Sequence, residues 1–151
     1  MIFIGGGNTF KLLKGIKESK VFSKLKEYIY DNGVIYGSSA GSVIFGKDIK
    51  IIEAMDENNV MLEDTRGFDI LNGISLFVHY TNYRTKFSDE ENKTLTEKYT
   101  DFLIDYSLNN ENIIAYPEED TLFISDDNIK VIGKSAYYKF EDGIKKKIFI
   151  D

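Results

Sequence analysis

Residues 37–41 read Gly-Ser-Ser-Ala-Gly, between the short apolar run Val34-Ile35-Tyr36 and a segment that starts a helix at Ala40. A glycine–x–serine–x–glycine turn in that setting constrains the chain strongly. The strand has to stop abruptly, the helix has to begin at once, and side chains at the flanking positions would clash. The beginning of the chain has the same shape. Met1-Ile2-Phe3-Ile4 is an apolar run that stops at Gly5-Gly6-Gly7, and Asn8 or Thr9 can cap a helix from Phe10 to about Glu18.

Further along, the spacing of Phe22, Leu25 and Ile29 predicts a second helix ending at Asp31-Asn32-Gly33, with Gly33 suited to the left-handed position. A strand is expected over Ile49–Glu53, a polar loop over Met55–Asn72, and an apolar strand over Ser75–Val78 that ends at His79. Ser88-Asp-Glu-Glu91 has the form of a capping box and opens a helix to about Tyr106. After residue 110 the period changes to alternation. Strands are expected at 113–116, 121–125, 129–132, 136–140 and 145–150, with turns at Asp126-Asp127-Asn128 and Glu141-Asp142-Gly143. Strand–helix alternation followed by hairpins makes one α/β domain over residues 1–151 with an antiparallel C-terminal extension.

Composition removes several classes of function. The 151 residues carry 42% hydrophobic side chains, so the chain can bury a core and is not a disordered tail. No apolar stretch approaches the roughly 18 residues of a spanning helix, and no signal-like segment opens the chain, so a cytoplasmic protein without a membrane partner is expected. A net charge of −6 argues against nucleic acid, whose phosphates call for a surplus of Lys and Arg. The absence of cysteine removes disulfides, thiolate nucleophiles and cysteine metal sites, and a single histidine makes a metal site improbable.

The chemistry then falls on a few residues. Ser39 is lifted out of the sheet by its turn and sits at a helix start, where N–H groups favour developing negative charge. It is the candidate nucleophile, with the Ala40 N–H as oxyanion donor and Gly6 or Gly7 as a second. Gly5–Gly7 is neither a dinucleotide fingerprint nor a Walker loop, since Phe10 stands at the last glycine position and no Gly-Lys-Ser/Thr follows. A serine hydrolase needs a base, and His79 is the one imidazole present. The carboxylate to orient it stays open among Glu53, Asp56, Glu57, Glu63 and Asp64.

The strand into Gly5-Gly6-Gly7-Asn8-Thr9-Phe10, the elbow Gly37–Ser42 and the strand end Val78-His79-Tyr80 resemble peptidase family S51 in order and spacing. Pro117–Ser125 and Lys130–Gly133 resemble its C-terminal strands. The resemblance implies a three-layer, doubly wound, mainly parallel sheet like that of class I glutamine amidotransferases. It implies no cofactor and no metal. Ser39 becomes the nucleophile and His79 the base, with Asp56 as the acid and Glu57 and Glu53 in reserve. Gly6, Gly7 and Ala40 form the oxyanion hole, and Asn8 and Arg84 bind substrate. The substrate implied is a small peptide, a dipeptide with an N-terminal aspartyl residue.

Members of the family carry an N-terminal βαβα segment before the strand that Met1–Ile4 resembles, and the resemblance leads to the expectation of a shortened N-terminal part. Met1–Ile4 is therefore expected at an exposed apolar sheet edge, which a homodimer or a partner chain would cover. The contrasting functions are a catalytically silent S51-like protein acting as a binding or assembly partner, and an anion-binding module built on Gly5–Gly7. The α/β-hydrolase fold shares the serine motif but brings its histidine late in a longer chain, which disfavours it here.

Overall fold

The computed structural model describes residues 1–81, 87–109, 111–125, 128–133 and 136–149. The chain divides into two compact units, residues 1–76 and 77–151.

In the first unit β1 (Ile2–Ile4) and β2 (Ile35–Gly37) pair in parallel, with Ile2 opposite Ile35 and Ile4 opposite Gly37. Parallel neighbours cannot be joined by a tight turn, and α1 (Thr9–Glu18) and α2 (Val21–Tyr30) make the crossover. The Asn8 side chain caps α1 by accepting from Lys11 N, and Phe10 and Leu13 are fully buried on its inner face. The Phe22 ring stacks on Phe68 at 4.3 Å, and Phe45 tilts against the same Phe68 ring at 5.5 Å. Around these rings Val43, Ile44, Ile49 and Ile51 complete an apolar core.

Two expectations change here. The left-handed residue after α2 is Asn32 (φ 61°), not Gly33. Asn32 N donates to Ile29 O and Gly33 N to Tyr28 O, a Schellman close in which asparagine tolerates the special position. Residues 49–53 form no strand; Lys50–Ala54 is a 3₁₀ helix. Ile51 and Ile52 are both buried, which an alternating strand with one solvent face does not allow, and Asp48 Oδ1 accepts from Lys50 N at 2.8 Å, turning the chain at the helix start. The following loop runs beside α1, fastened by Lys14 Nζ to Val60 O and by Lys17 Nζ to Asp64 O, each at 2.8 Å. The outer side of the β1–β2 pair is bare: Phe3 is 64% exposed and stacks on the half-exposed Tyr36 at 5.7 Å.

The second unit begins at Phe77, the last residue of β3 (Ile74–Phe77), in a sheet of order β3-β4-β7-β8. β4 (Asn112–Ala115), β7 (Tyr137–Glu141) and β8 (Ile144–Ile148) are antiparallel, Ile113 facing Phe140 and Tyr137 facing Ile148. Asp142 and Gly143 both have positive φ (50° and 74°), the primed two-residue turn that an Asp-Gly pair favours. α4 (Asp89–Ser107) starts from the expected capping box, Ser88 Oγ accepting from Glu91 N while Glu91 Oε2 accepts from Ser88 N. It buries Tyr99, Leu103 and Ser107. β5 (Thr121–Ser125) and β6 (Asn128–Ile132) form a separate hairpin, and Asp126 and Asp127 of its expected turn lie outside the described residues. Parallel pairing in one unit and antiparallel pairing in the other make an α/β fold with mixed sheets.

Candidate active site

The serine turn is built by close backbone packing. A Cβ on Gly37 would stand 2.3 Å from Gly41 O, and one on Gly41 would stand 2.1 Å from Ile4 O. Only glycine fits at either end, which is the physical content of the motif. Between them Ser39 takes φ 52° and ψ −119° and precedes the single-turn helix α3 (Ala40–Val43). A non-glycine residue there stores about 1–3 kcal/mol of backbone strain, held by the surrounding turn. Ser39 O accepts from Ser42 N, Val43 N and Ser42 Oγ, the last at 2.6 Å. Because α3 is one turn long, charge at Ser39 would be stabilised by local N–H groups rather than by a long helix dipole. The Gly5–Gly7 loop lies alongside: a Cβ built on Gly6 would sit 3.1 Å from Ser39 Cβ and 3.5 Å from Ser39 Oγ. Gly7 adopts φ 135° in the same loop.

Asp56, expected to orient the histidine, is engaged elsewhere within this unit. Its Oδ2 accepts from Thr9 N at 2.8 Å and from Thr9 Oγ1 at 2.7 Å, and Thr9 is buried. Asn8, expected to bind substrate, caps α1 and donates from Nδ2 to Glu57 O at 2.9 Å. The N-terminus of α1 therefore already receives a carboxylate, which weakens the anion-binding alternative. Glu53 and Glu57 are exposed, and Glu57 Oε2 accepts from Asn59 Nδ2. Asp64 accepts two bonds from the Arg66 guanidinium, at 2.7 and 3.1 Å, and a third from Arg66 N at 3.3 Å, and pairs with Lys17 at 3.1 Å. The Arg66 guanidinium, with help from Lys17, holds the Asp64 carboxyl well below the ordinary range.

In the second unit His79 follows β3 at φ 60°, its side chain 22% exposed. Its Nδ1 stands 3.9 Å from Glu118 Oε2. Glu118 lies outside the stretch between Ser39 and His79 that holds the carboxylates named from the sequence. Strand pairing brings it there. Tyr116 N donates to Phe77 O at 3.1 Å and Tyr80 N donates to Tyr116 O at 3.0 Å, so the ends of β3 and β4 run side by side. The available signal was an apolar strand ending in Pro117-Glu118, the same strand-end pattern that marks Ser39 and His79. An open groove of about 610 Å³ beside this turn is lined by Thr81, Asn92, Lys93, Thr96 and Glu119 among others. Arg84, the other expected substrate residue, lies outside the described residues. Among the described residues no three His, Asp or Glu side chains gather into a metal-binding group, and no helix is long and apolar enough to cross a membrane.

The family model described as Peptidase family S51 matches residues 1–132. Peptidase E of Pasteurella multocida is 30% identical over 148 residues, 96% of this chain and 59% of the relative. Peptidase E of a Nostoc species is 28% identical over 149 residues, 97% of this chain and 57% of the relative. The crystal structure of a provisionally named Peptidase E protein from Listeria monocytogenes EGD-e superposes with a TM-score of 0.68 at 26% identity. It covers 89% of this chain and 60% of that one. The chain thus spans about three-fifths of the length of the relatives it matches.

Proposed function

The chain belongs to peptidase family S51, and from that premise we propose that it acts as a cytoplasmic serine peptidase on small peptides, dipeptides with an N-terminal aspartyl residue foremost. The observation that carries the reading is Ser39, held at a positive φ between two glycines that no other residue could replace. In this mechanism Ser39 Oγ attacks the scissile carbonyl while His79 takes the hydroxyl proton. The carbonyl oxygen becomes an oxyanion, accepting from Ala40 N–H and from Gly6 or Gly7 N–H. His79 gives its proton to the leaving amine as the C–N bond breaks. A water molecule then repeats the attack on the acyl-enzyme and regenerates Ser39. The orienting carboxylate is assigned to Glu118 rather than Asp56, because Glu118 faces His79 Nδ1 and Asp56 is held by Thr9. The doubly wound, three-layer sheet remains part of the proposal.

The test is hydrolysis of Asp-Leu beside Ala-Leu by the purified wild type and by Ser39→Ala and His79→Ala. Turnover of the aspartyl peptide that disappears in both variants supports the reading. A folded wild type with no turnover from acid to alkaline pH overturns it in favour of a silent family member.

A further inference from the structure

Tyr80 follows His79 directly and is fully buried. Both residues flanking it take left-handed angles, His79 at φ 60° and Thr81 at φ 72°. Two such non-glycine residues around one position persist only where the surroundings over-determine them. Tyr80 provides that constraint. Its N–H donates to Tyr116 O on the strand end after β4. Its ring meets Phe77, Tyr138 and Phe140 edge-on, at 6.3, 4.9 and 5.8 Å between centroids. Lys145 Nζ lies 5.2 Å from the Tyr80 ring and 4.8 Å from the Tyr138 ring, a cation over two aromatic faces.

The hydroxyl is equally committed. Tyr80 Oη bonds to Thr100 Oγ1 of α4. Thr100 directs its own proton to Thr96 O at 2.6 Å, so its oxygen is left to accept and the tyrosine must donate. Lys145 Nζ donates to the same Thr100 Oγ1 at 3.4 Å. Burial pushes the Tyr80 phenol up to about 12, so the donor keeps its proton across the neutral range. Groups from β3, α4, β7 and β8, with the strand end after β4, thus converge on one ring. The hairpin β7–β8 lies beyond residue 132, where the family match ends.

We propose that Tyr80 is a positioning residue for His79. The Thr100 hydroxyl holds its tip and the C-terminal hairpin holds its ring, so that the left-handed turn presents the imidazole in one orientation. The proposal rests on the reading of His79 as the general base.

His79 is the only histidine of the chain, so its ring gives a single set of NMR signals that needs no assignment. Tyr80→Phe removes the donor and Thr100→Val removes the acceptor, each with little change of shape. Each is expected to shift or broaden the His79 ring signal in a folded sample. Each should also lower kcat about tenfold with KM within about twofold, the signature of a misplaced catalytic group. The double variant should be no worse than Thr100→Val alone, because that substitution already breaks the bond that Tyr80→Phe removes. Thr100→Ser, which keeps the hydroxyl, should restore both readouts. An unmoved His79 signal in folded Tyr80→Phe and Thr100→Val overturns the proposal. So does a Thr100→Ser variant as impaired as Thr100→Val. The ring signal is read whether or not the wild type cleaves peptides, so failure of the peptidase reading and failure of the clamp are told apart.

Discussion

Asp56 Oδ2 sits 2.8 Å from Thr9 N and 2.7 Å from Thr9 Oγ1, so one carboxylate oxygen takes both donors at the start of α1. The contact joins residues 47 positions apart and ties the loop after the 3₁₀ helix to the glycine loop beside Ser39. Asp56→Ala should cost about 1–2 kcal/mol of stability, the range of a lost helix cap that leaves a buried donor. Urea denaturation measures it. Thr9→Val added to Asp56→Ala should add little, and a loss equal to the two singles combined would refute the pairing.

Glu118 should matter for rate and little for folding, since its side chain is half exposed. Glu118→Gln is expected to lower kcat for Asp-Leu at least tenfold while the melting temperature stays within a few degrees. The same assay on Asp56→Asn should show the reverse balance. Equal kcat losses in the two variants would remove Glu118 from its assigned role.

Asp64 offers a pH test. Arg66 and Lys17 depress its pKa in the folded chain. A depressed folded pKa gives stability that is present above the unfolded carboxylate value and lost as pH falls toward the folded one. The side chain is half exposed, so the gain is at most about 1 kcal/mol after screening. Asp64→Asn should therefore be less stable than wild type at pH 7, with the gap narrowing at pH 3. A constant gap would show that the charge is irrelevant.

Phe10 and Phe3 separate burial from composition. Phe10 is fully buried and Phe3 is 64% exposed. Phe10→Ala should cost about 3–5 kcal/mol and Phe3→Ala under about 1 kcal/mol. Denaturation midpoints of the two variants give the comparison, and similar losses would contradict the packing described.

Glycine substitutions should split by position. Gly15 lies in α1 with open space where a Cβ would be, so Gly15→Ala should stabilise by about 0.4–1 kcal/mol. Gly41→Ala would drive a Cβ to 2.1 Å from Ile4 O, displacing β1 from the serine turn. It should destabilise the chain and abolish turnover, as read by thermal melting and the dipeptide assay.

Features whose causes lie within a few residues are legible in the sequence. The serine turn needs glycine at 37, where a Cβ would meet Gly41 O, Ser88 and Glu91 satisfy each other's backbone N–H groups, and Asp142-Gly143 forms a primed hairpin turn. Each is a local steric or hydrogen-bonding demand, so residue order alone states it. The misreadings are also local in origin. Ile49–Glu53 is apolar enough for a strand, but the Asp48–Lys50 hydrogen bond and two adjacent buried isoleucines favour a 3₁₀ turn. Asn32 takes the left-handed position because the Schellman bonds fall one residue earlier than Gly33 suggested.

What the order of residues could not state is which carboxylate meets which partner. Glu118 follows an apolar strand end and Asp56 does not, but neither neighbourhood in the chain names the partner. Asp56 goes to Thr9 because the loop after the 3₁₀ helix passes the N-terminus of α1, whose unsatisfied N–H attracts a carboxylate. Glu118 goes to His79 because the hydrogen bonds between Phe77, Tyr116 and Tyr80 fix the register of two strand ends far apart in sequence. Register is a property of paired strands, and only the folded chain has it.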